Sequence, residues 1–223
     1  MKKALYLLLL LAGFTLAACS GSTEQQDVVT VEDKEDPNMP ADARFGMKSG
    51  IITYEASMLL MKQDVVIYFD NYGKDTRTEI HFNMLGKEVN NITISDSAWV
   101  HSWDPESMTG SRFPMDVKSP DNINFNKLTD ELKKELKIKE EGSEVVLGRN
   151  CVVYSLNAEA SGIKGTYVIW KGIALRTETV ARGQKVEMKA VKIEENVPIP
   201  PDRFKVPSGI NFRELKSASE LTS

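Results

Sequence analysis

The sequence predicts a mainly β domain with one helix, placed behind an export signal and an acidic linker. Three observations predict it. From Arg44 onward, short segments alternate in period two or are apolar throughout, with Gly, Asn, Asp and Pro between them. A single convincing stretch, Leu128 to Leu136, repeats leucine at helical spacing. Two cysteines in 223 residues, with 41% apolar and 27% charged side chains, exclude a disulfide-stapled or disordered chain.

The N-terminus gives an address. Met1-Lys2-Lys3 is basic, Ala4 to Thr15 is a leucine-rich apolar run, and Leu16-Ala17-Ala18-Cys19 follows. That is a secretory signal, too short and wrongly flanked for a stable membrane span. Leu-Ala-Ala-Cys resembles the bacterial lipobox. The resemblance implies cleavage before Cys19 and attachment of diacylglycerol to its sulfur, followed by N-acylation. One acyl chain holds a protein only marginally, at ~0.8 kcal/mol per buried CH₂, whereas two or three chains hold it stably. Residues 1–18 are therefore expected to be the signal peptide and Cys19 the lipidated residue. Cleavage there leaves Cys151 as the remaining thiol, so no intramolecular disulfide is expected.

Residues 19–43 read as a flexible tether. Between Ser20 and Ala43 stand seven carboxylates against Lys34, with Gly21, Pro37 and Pro40 and no periodic apolar face. Such a segment reaches about 80 Å when extended. Ser20 does not resemble the aspartate that commonly retains lipoproteins in the inner membrane, so an outer-membrane lipoprotein is expected, facing the periplasm or the cell surface. From Arg44 to Ser223 the chain holds 25 basic and 25 acidic residues. A neutral body with no Lys/Arg block lacks the electrostatic footprint of a nucleic-acid binder.

The expected domain is 44–209, with 210–223 as a tail. Strands are expected at 47–57, 65–69, 76–84, 91–95, 99–103, 150–157, 164–171, 174–181 and 185–194. Asn71-Tyr72-Gly73-Lys74 and Ala181-Arg182-Gly183-Gln184 read as hairpin turns, because glycine tolerates positive φ. Leu128, Leu132 and Leu136 form one helical stripe. Asn126 is the expected cap, acids lie in the first turns, lysines near the end, and Gly142 stands beyond as a stop.

Along 76–84, Thr76, Thr78, Ile80, Phe82 and Met84 share one face, with Arg77, Glu79, His81 and Asn83 on the other. Between Val186-Met188-Ala190 and Val191-Ile193 the apolar phase flips, which predicts a β-bulge or a strand buried on both sides. With one helix available as cover, either two sheet layers pack together or one curved sheet encloses an apolar cavity.

Two phrases carry a family resemblance. Gly148-Arg149-Asn150-Cys151-Val152-Val153-Tyr154 leads into Val168-Ile169-Trp170-Lys171-Gly172-Ile173-Ala174-Leu175, and the end runs Ile199-Pro200-Pro201-Asp202-Arg203-Phe204-Lys205-Val206-Pro207-Ser208-Gly209. This order resembles the LolA/LolB-like lipoprotein-sorting superfamily and related uncharacterised lipoproteins of Bacteroidetes. The resemblance implies a strongly curved antiparallel sheet, an incomplete barrel, with one main α-helix and short helical turns. It also implies an acyl chain or lipoprotein lipid as ligand. The protruding apolar membrane-insertion loop of LolB has no legible counterpart in this sequence.

Trp99, His101 and Trp103 share one strand face, opposite the smaller Ala98, Val100 and Ser102. They are the expected cavity wall, with Trp170, Phe82 and Met84 as further lining. The plainer reading of His101 is a ring packed between tryptophans, and that of His81 a solvated or cross-strand-paired imidazole. Cys151 lies in an apolar strand with nothing nearby to stabilise a thiolate, so it reads as a structural thiol. No Gly-x-Ser-x-Gly, His-Glu-x-x-His, P-loop or Gly-x-Gly-x-x-Gly is present. No catalytic residue, metal or cofactor is expected. The expected function is a membrane-anchored module that binds an apolar ligand. The alternative is a structural or protein-interaction lipoprotein with a fully packed core and no cavity. Cys19→Ser should abolish incorporation of radiolabelled palmitate; incorporation at the wild-type level would disprove the anchor.

Overall fold

The computed structural model describes residues 36–220, leaving aside 59–60, 97, 117–121, 159–161, 182 and 219. The signal, Cys19 and most of the acidic linker lie outside the described residues. Twelve strands form one sheet: β1 (Gly50–Met58), β2 (Met61–Asp70), β3 (Asp75–Met84), β4 (Lys87–Ser95), β5 (Trp99–Asp104), β6 (Thr109–Pro114), β7 (Lys139–Val146), β8 (Arg149–Ala158), β9 (Ile163–Trp170), β10 (Ile173–Ala181), β11 (Gln184–Glu195) and β12 (Asn211–Glu214). Their spatial order is β12-β6-β5-β4-β3-β2-β1-β11-β10-β9-β8-β7. Two antiparallel meanders, β1–β6 and β7–β11, are therefore joined side by side through β1 and β11. The curved, mainly antiparallel sheet with one α-helix that the sequence led us to expect is the fold found.

The strands differ from expectation where the sequence signal is weak. β12 pairs with β6 in parallel, so the sheet is not wholly antiparallel and continues past Gly209. β7 is an edge strand, Lys-Glu-Glu-Gly-Ser-Glu-Val-Val, exposed over most of its length. Charge along an unpaired edge discourages pairing with another chain. Residues 36–43, expected in the tether, are in contact with the domain: the Tyr72 hydroxyl donates to Asp36 at 2.9 Å, and Ala43 is buried.

The phase flip in β11 is a bulge. The β1–β11 register slips where Thr53 and Tyr54 face Lys192 and Ala190. Val191 is the extra residue, and at 41% exposure it stands out of the packed surface. The expected hairpin turns are also present. Asn71–Gly73 is a short 3-10 turn between β2 and β3, and Ala181 pairs with Gln184 across the β10–β11 turn, of which Arg182 lies outside the described residues.

The helix is shorter than its leucine stripe. α1 spans Asp130–Glu135, and the Thr129 hydroxyl, not Asn126, caps it by accepting from the Leu132 N–H. A separate 3-10 turn, Phe125–Lys127, precedes it, capped by Asn124. At the other end Lys137 takes a positive φ of 49°. The Ile138 N–H donates to the Lys133 carbonyl at 2.8 Å and the Lys137 N–H to Lys134. This is a Schellman closure, and it ends the helix well before Gly142, which lies within β7. All three leucines still serve one apolar cluster with Ile123, Ile138, Leu156 and Ala158. Leu136 is the most deeply buried of the three. Leu136→Asp would place an unpaired charge there, and a loss on the order of 3 kcal/mol is expected in urea unfolding. An unchanged midpoint would mean that α1 does not dock on the sheet.

Candidate functional site

Strand parity divides the sheet into two faces. Ile52, Tyr54 and Ala56 of β1 stand opposite Ile67, Val65 and Gln63 of β2, and beside Ile193, Ala190 and Met188 of β11. Met188 faces Thr177 of β10, which faces Tyr167 of β9. This is the inner face, because the segment leading into α1 lies over it. Phe125 packs its ring 5.5 Å from both Tyr154 and Tyr167.

The covering segment does not fill the inner face. A cavity of about 310 Å³ remains between them, bounded by Phe45, Tyr54, Ile67, Phe125, Tyr167 and Met188 among others. Tyr54 is 2% exposed. Burial pushes its phenol well above the usual range, so the ring is neutral in the wall. The wall also holds Arg44, among the described residues the one ionised side chain that lines the cavity. Burial disfavours its charged form, though a guanidinium stays protonated at physiological pH.

Arg44 is fixed from three directions. Its N–H and that of Phe45 both donate to the Tyr72 carbonyl at 2.9 Å. The Asn126 amide donates to the Arg44 carbonyl at 3.0 Å, and the Asn124 amide to the Ala43 carbonyl at 3.1 Å. The cover is thus clamped to the segment before β1. The β9–β10 turn closes the third side: Gly172 has φ +77°, and a Cβ there would collide with the Arg44 carbonyl.

A larger groove, about 420 Å³, is lined by Glu55, Lys62, Asp64, Arg176, Glu178 and Glu187 together with Ala56, Gln63, Thr177 and Met188 of the inner face. Strand register puts these charged residues on the outer face. Such a lining would cost an acyl chain more in stripped hydration than its apolar contacts return. The smaller cavity carries fewer charges, with Arg44 as its one ionised side chain among the described residues.

None of the six residues expected in the cavity wall lines it. Trp99, His101 and Trp103 do share a face, but register pairs Trp103 with Ile92 and His101 with Ile94, which stand opposite Glu79 and Arg77. That is the outer face. There the C-terminal segment covers them: Phe212 of β12 meets His101 at 5.4 Å and Trp103 at 6.4 Å. Trp103 is 2% exposed, and Arg112 lies over Trp99. His101 Nδ1 is buried without a partner among the described residues, and desolvation lowers the ring's pKa. Trp170 is buried in a separate place, flanked by Arg149 and Lys171 at 4.9 Å. Phe82 and Met84 have inner-face parity but lie on the outer reach of β3, where Met84 is exposed. His81 pairs across the strands with Asn90 at 2.6 Å. Cys151 is 1% exposed, its thiol donating to the Arg149 carbonyl.

The β3–β4 hairpin ends in an apolar tip. Met84 pairs with Lys87 across Leu85-Gly86, and Leu85 is wholly exposed. Both turn residues have positive φ, 54° and 83°, the type I′ geometry that favours Asn-Gly. The same geometry recurs at Leu147-Gly148 and Lys171-Gly172. A leucine at the first position gains nothing from burial at the Leu85 tip and strains the backbone there.

No protein-family model matches the sequence, and no curated protein matches it. Solved structures do. An uncharacterized conserved protein from Thermus thermophilus is similar at 10% identity and TM-score 0.51, over 75% of this chain and 91% of that one. MucB, in the Pseudomonas aeruginosa MucA/MucB complex, aligns at 12% identity and TM-score 0.43, over 72% of this chain and 56% of that one. LprF from Mycobacterium bovis aligns at 9% identity and TM-score 0.32, over 68% and 89%. At such identities the likeness to the Thermus protein is one of fold. The class defined so far is a curved open sheet with a partly covered apolar cavity. Replacing the strained tip residue, Leu85→Asn, should raise unfolding stability by about 0.5–1 kcal/mol; a lower urea midpoint would show that Leu85 is held by contacts absent from this geometry.

Proposed function

We propose that this chain is a membrane-anchored lipoprotein of the Gram-negative cell envelope that holds an acyl chain between its inner sheet face and the covering segment. The observation that carries the reading is the apolar cavity of about 310 Å³. The space is open to solvent on one side and lined mostly by apolar and aromatic side chains, the kind of surface that an acyl chain covers favourably. At roughly 30 Å³ for a group the size of a water molecule, it takes about ten methylenes. That is one chain, not the two or three of a lipoprotein anchor.

Two membrane contacts accompany the cavity in this reading. Lipid on Cys19 tethers the domain, and the exposed Met84–Leu85 tip is the counterpart of the LolB insertion loop. An outer-membrane location follows from the Cys19-Ser20 junction in the same reading. The domain works as a binding module, without chemistry on its ligand.

A tryptophan placed inside the cavity tests this. Ile67→Trp puts a reporter in the wall, whereas none of the three native tryptophans lines it. A fatty acid with a nitroxide on its chain should quench the new emission saturably and leave wild-type emission nearly unchanged. Equal quenching in both proteins, or none in either, would refute the site.

A further inference from the structure

We propose that the ligand of this cavity is a single-chain carboxylic acid, its head group paired with the Arg44 guanidinium. This deepens the acyl-chain reading and rests on it. Among the described residues, Arg44 is the one ionised side chain in an otherwise apolar and hydroxyl-bearing wall. Among the described residues its guanidinium has no carboxylate or hydrogen-bond partner, and it lies over the Phe45 ring, 5.9 Å from the centroid.

The neighbouring charges are already committed. Asp42, two residues earlier, pairs with Lys74 at 2.7 Å, and Lys171 lies on the Trp170 ring. A half-buried guanidinium attracts a carboxylate more strongly than one in open water does. Its backbone, meanwhile, is pinned by Tyr72, Asn126 and the turn at Gly172. The side chain therefore starts from a fixed point on the cavity wall.

The charge count selects the head group. One guanidinium matches one carboxylate in a two-bond fork. A phosphate monoester carries ~1.5–2 charges and three acceptor oxygens, and among the described residues the wall holds no second cation for it. A quaternary ammonium would be repelled. The volume that admits about ten methylenes sets the tail, so a medium-chain fatty acid such as dodecanoate is the fitting ligand.

Equilibrium dialysis of the full chain held in amphipathic polymer, with a polymer blank, tests this with four C12 probes. Dodecanoate should bind on the order of tenfold tighter than dodecanol, and also tighter than dodecyl phosphate or dodecyltrimethylammonium. Arg44→Gln should bring dodecanoate down to the dodecanol level while dodecanol binding persists; Arg44→Lys should restore part of the preference. Equal binding of acid and alcohol by the wild type, or a preference that survives Arg44→Gln, overturns the Arg44 assignment alone. Tighter binding of the phosphate overturns the carboxylate. Binding of no C12 probe overturns the acyl-chain reading and this one with it. If Arg44→Gln fails to fold, [1-13C]dodecanoate bound to the wild type decides the matter. Its carboxyl should titrate below the free acid, because a nearby guanidinium favours the charged form; an unshifted or raised value overturns the pairing.

Discussion

The pairing of β1 with β11 is the constraint on which the rest of the molecule depends. It joins residues Gly50–Met58 to Val186–Glu195, across most of the domain's length. Each meander closes by short turns of low entropic cost, but this seam closes a loop of well over a hundred residues. Without it there are two separate ribbons, each with an uncovered apolar face. With it, Tyr54 and Met188 stand in one wall together with Ile67 and Thr177. The bulge at Val191 sits in the same seam, where the extra residue increases local twist and bends the strand. Long-range pairing of this kind is slow to form.

The cavity is a consequence of unequal areas. The inner face spans strands from both meanders, whereas the cover consists of a 3-10 turn and the short helix α1. Leu136, Leu132 and Leu128 reach only the β8–β9 side of that face, with Leu156, Ala158 and Ile163. Toward β1 and β2 the cover ends in Phe125 and Phe45, and the space beyond them stays open. The other face is treated differently. After β11 the chain crosses it: Arg203 stacks on Tyr68 at 4.3 Å and reaches Glu79 at 3.6 Å. Phe212 then closes over Trp103. The C-terminal segment covers the outer face over β2, β3 and β5, and the inner face is left partly unfilled.

Much of the sheet is legible in the sequence because its strands carry period-two or continuous apolar patterns. The bulge is legible too, since a shifted parity at Ala190-Val191 has few other physical causes. The strands β6, β7 and β12 are not. β7 is exposed along most of its length and so has no apolar alternation, and β12 has four residues and pairs in parallel. The helix start differs from expectation because leucine spacing says nothing about where Thr129 captures the Leu132 N–H.

The site is the least legible part. Parity correctly groups Trp99, His101 and Trp103, but parity cannot say which of two faces is inner. That depends on where the 123–138 segment and the C-terminal segment cross the sheet, which is tertiary information. Their bulk suggests a cavity wall, whereas these rings fill the contact beneath the C-terminal segment. Arg44, at the very start of the domain, has no local signal at all. Its place in the wall follows from Tyr72, Asn126 and Gly172, which lie far apart in the sequence.

The central claim is that the inner face, under its cover, holds one acyl chain. A crystal of the protein grown with 12-bromododecanoic acid measures this directly through the anomalous scattering of bromine. The account predicts a single peak inside the cavity bounded by Tyr54, Ile67, Phe125 and Met188. A peak beside Trp99 and Trp103, a peak in the charged groove at Glu55 and Arg176, or no peak at saturating ligand would contradict it.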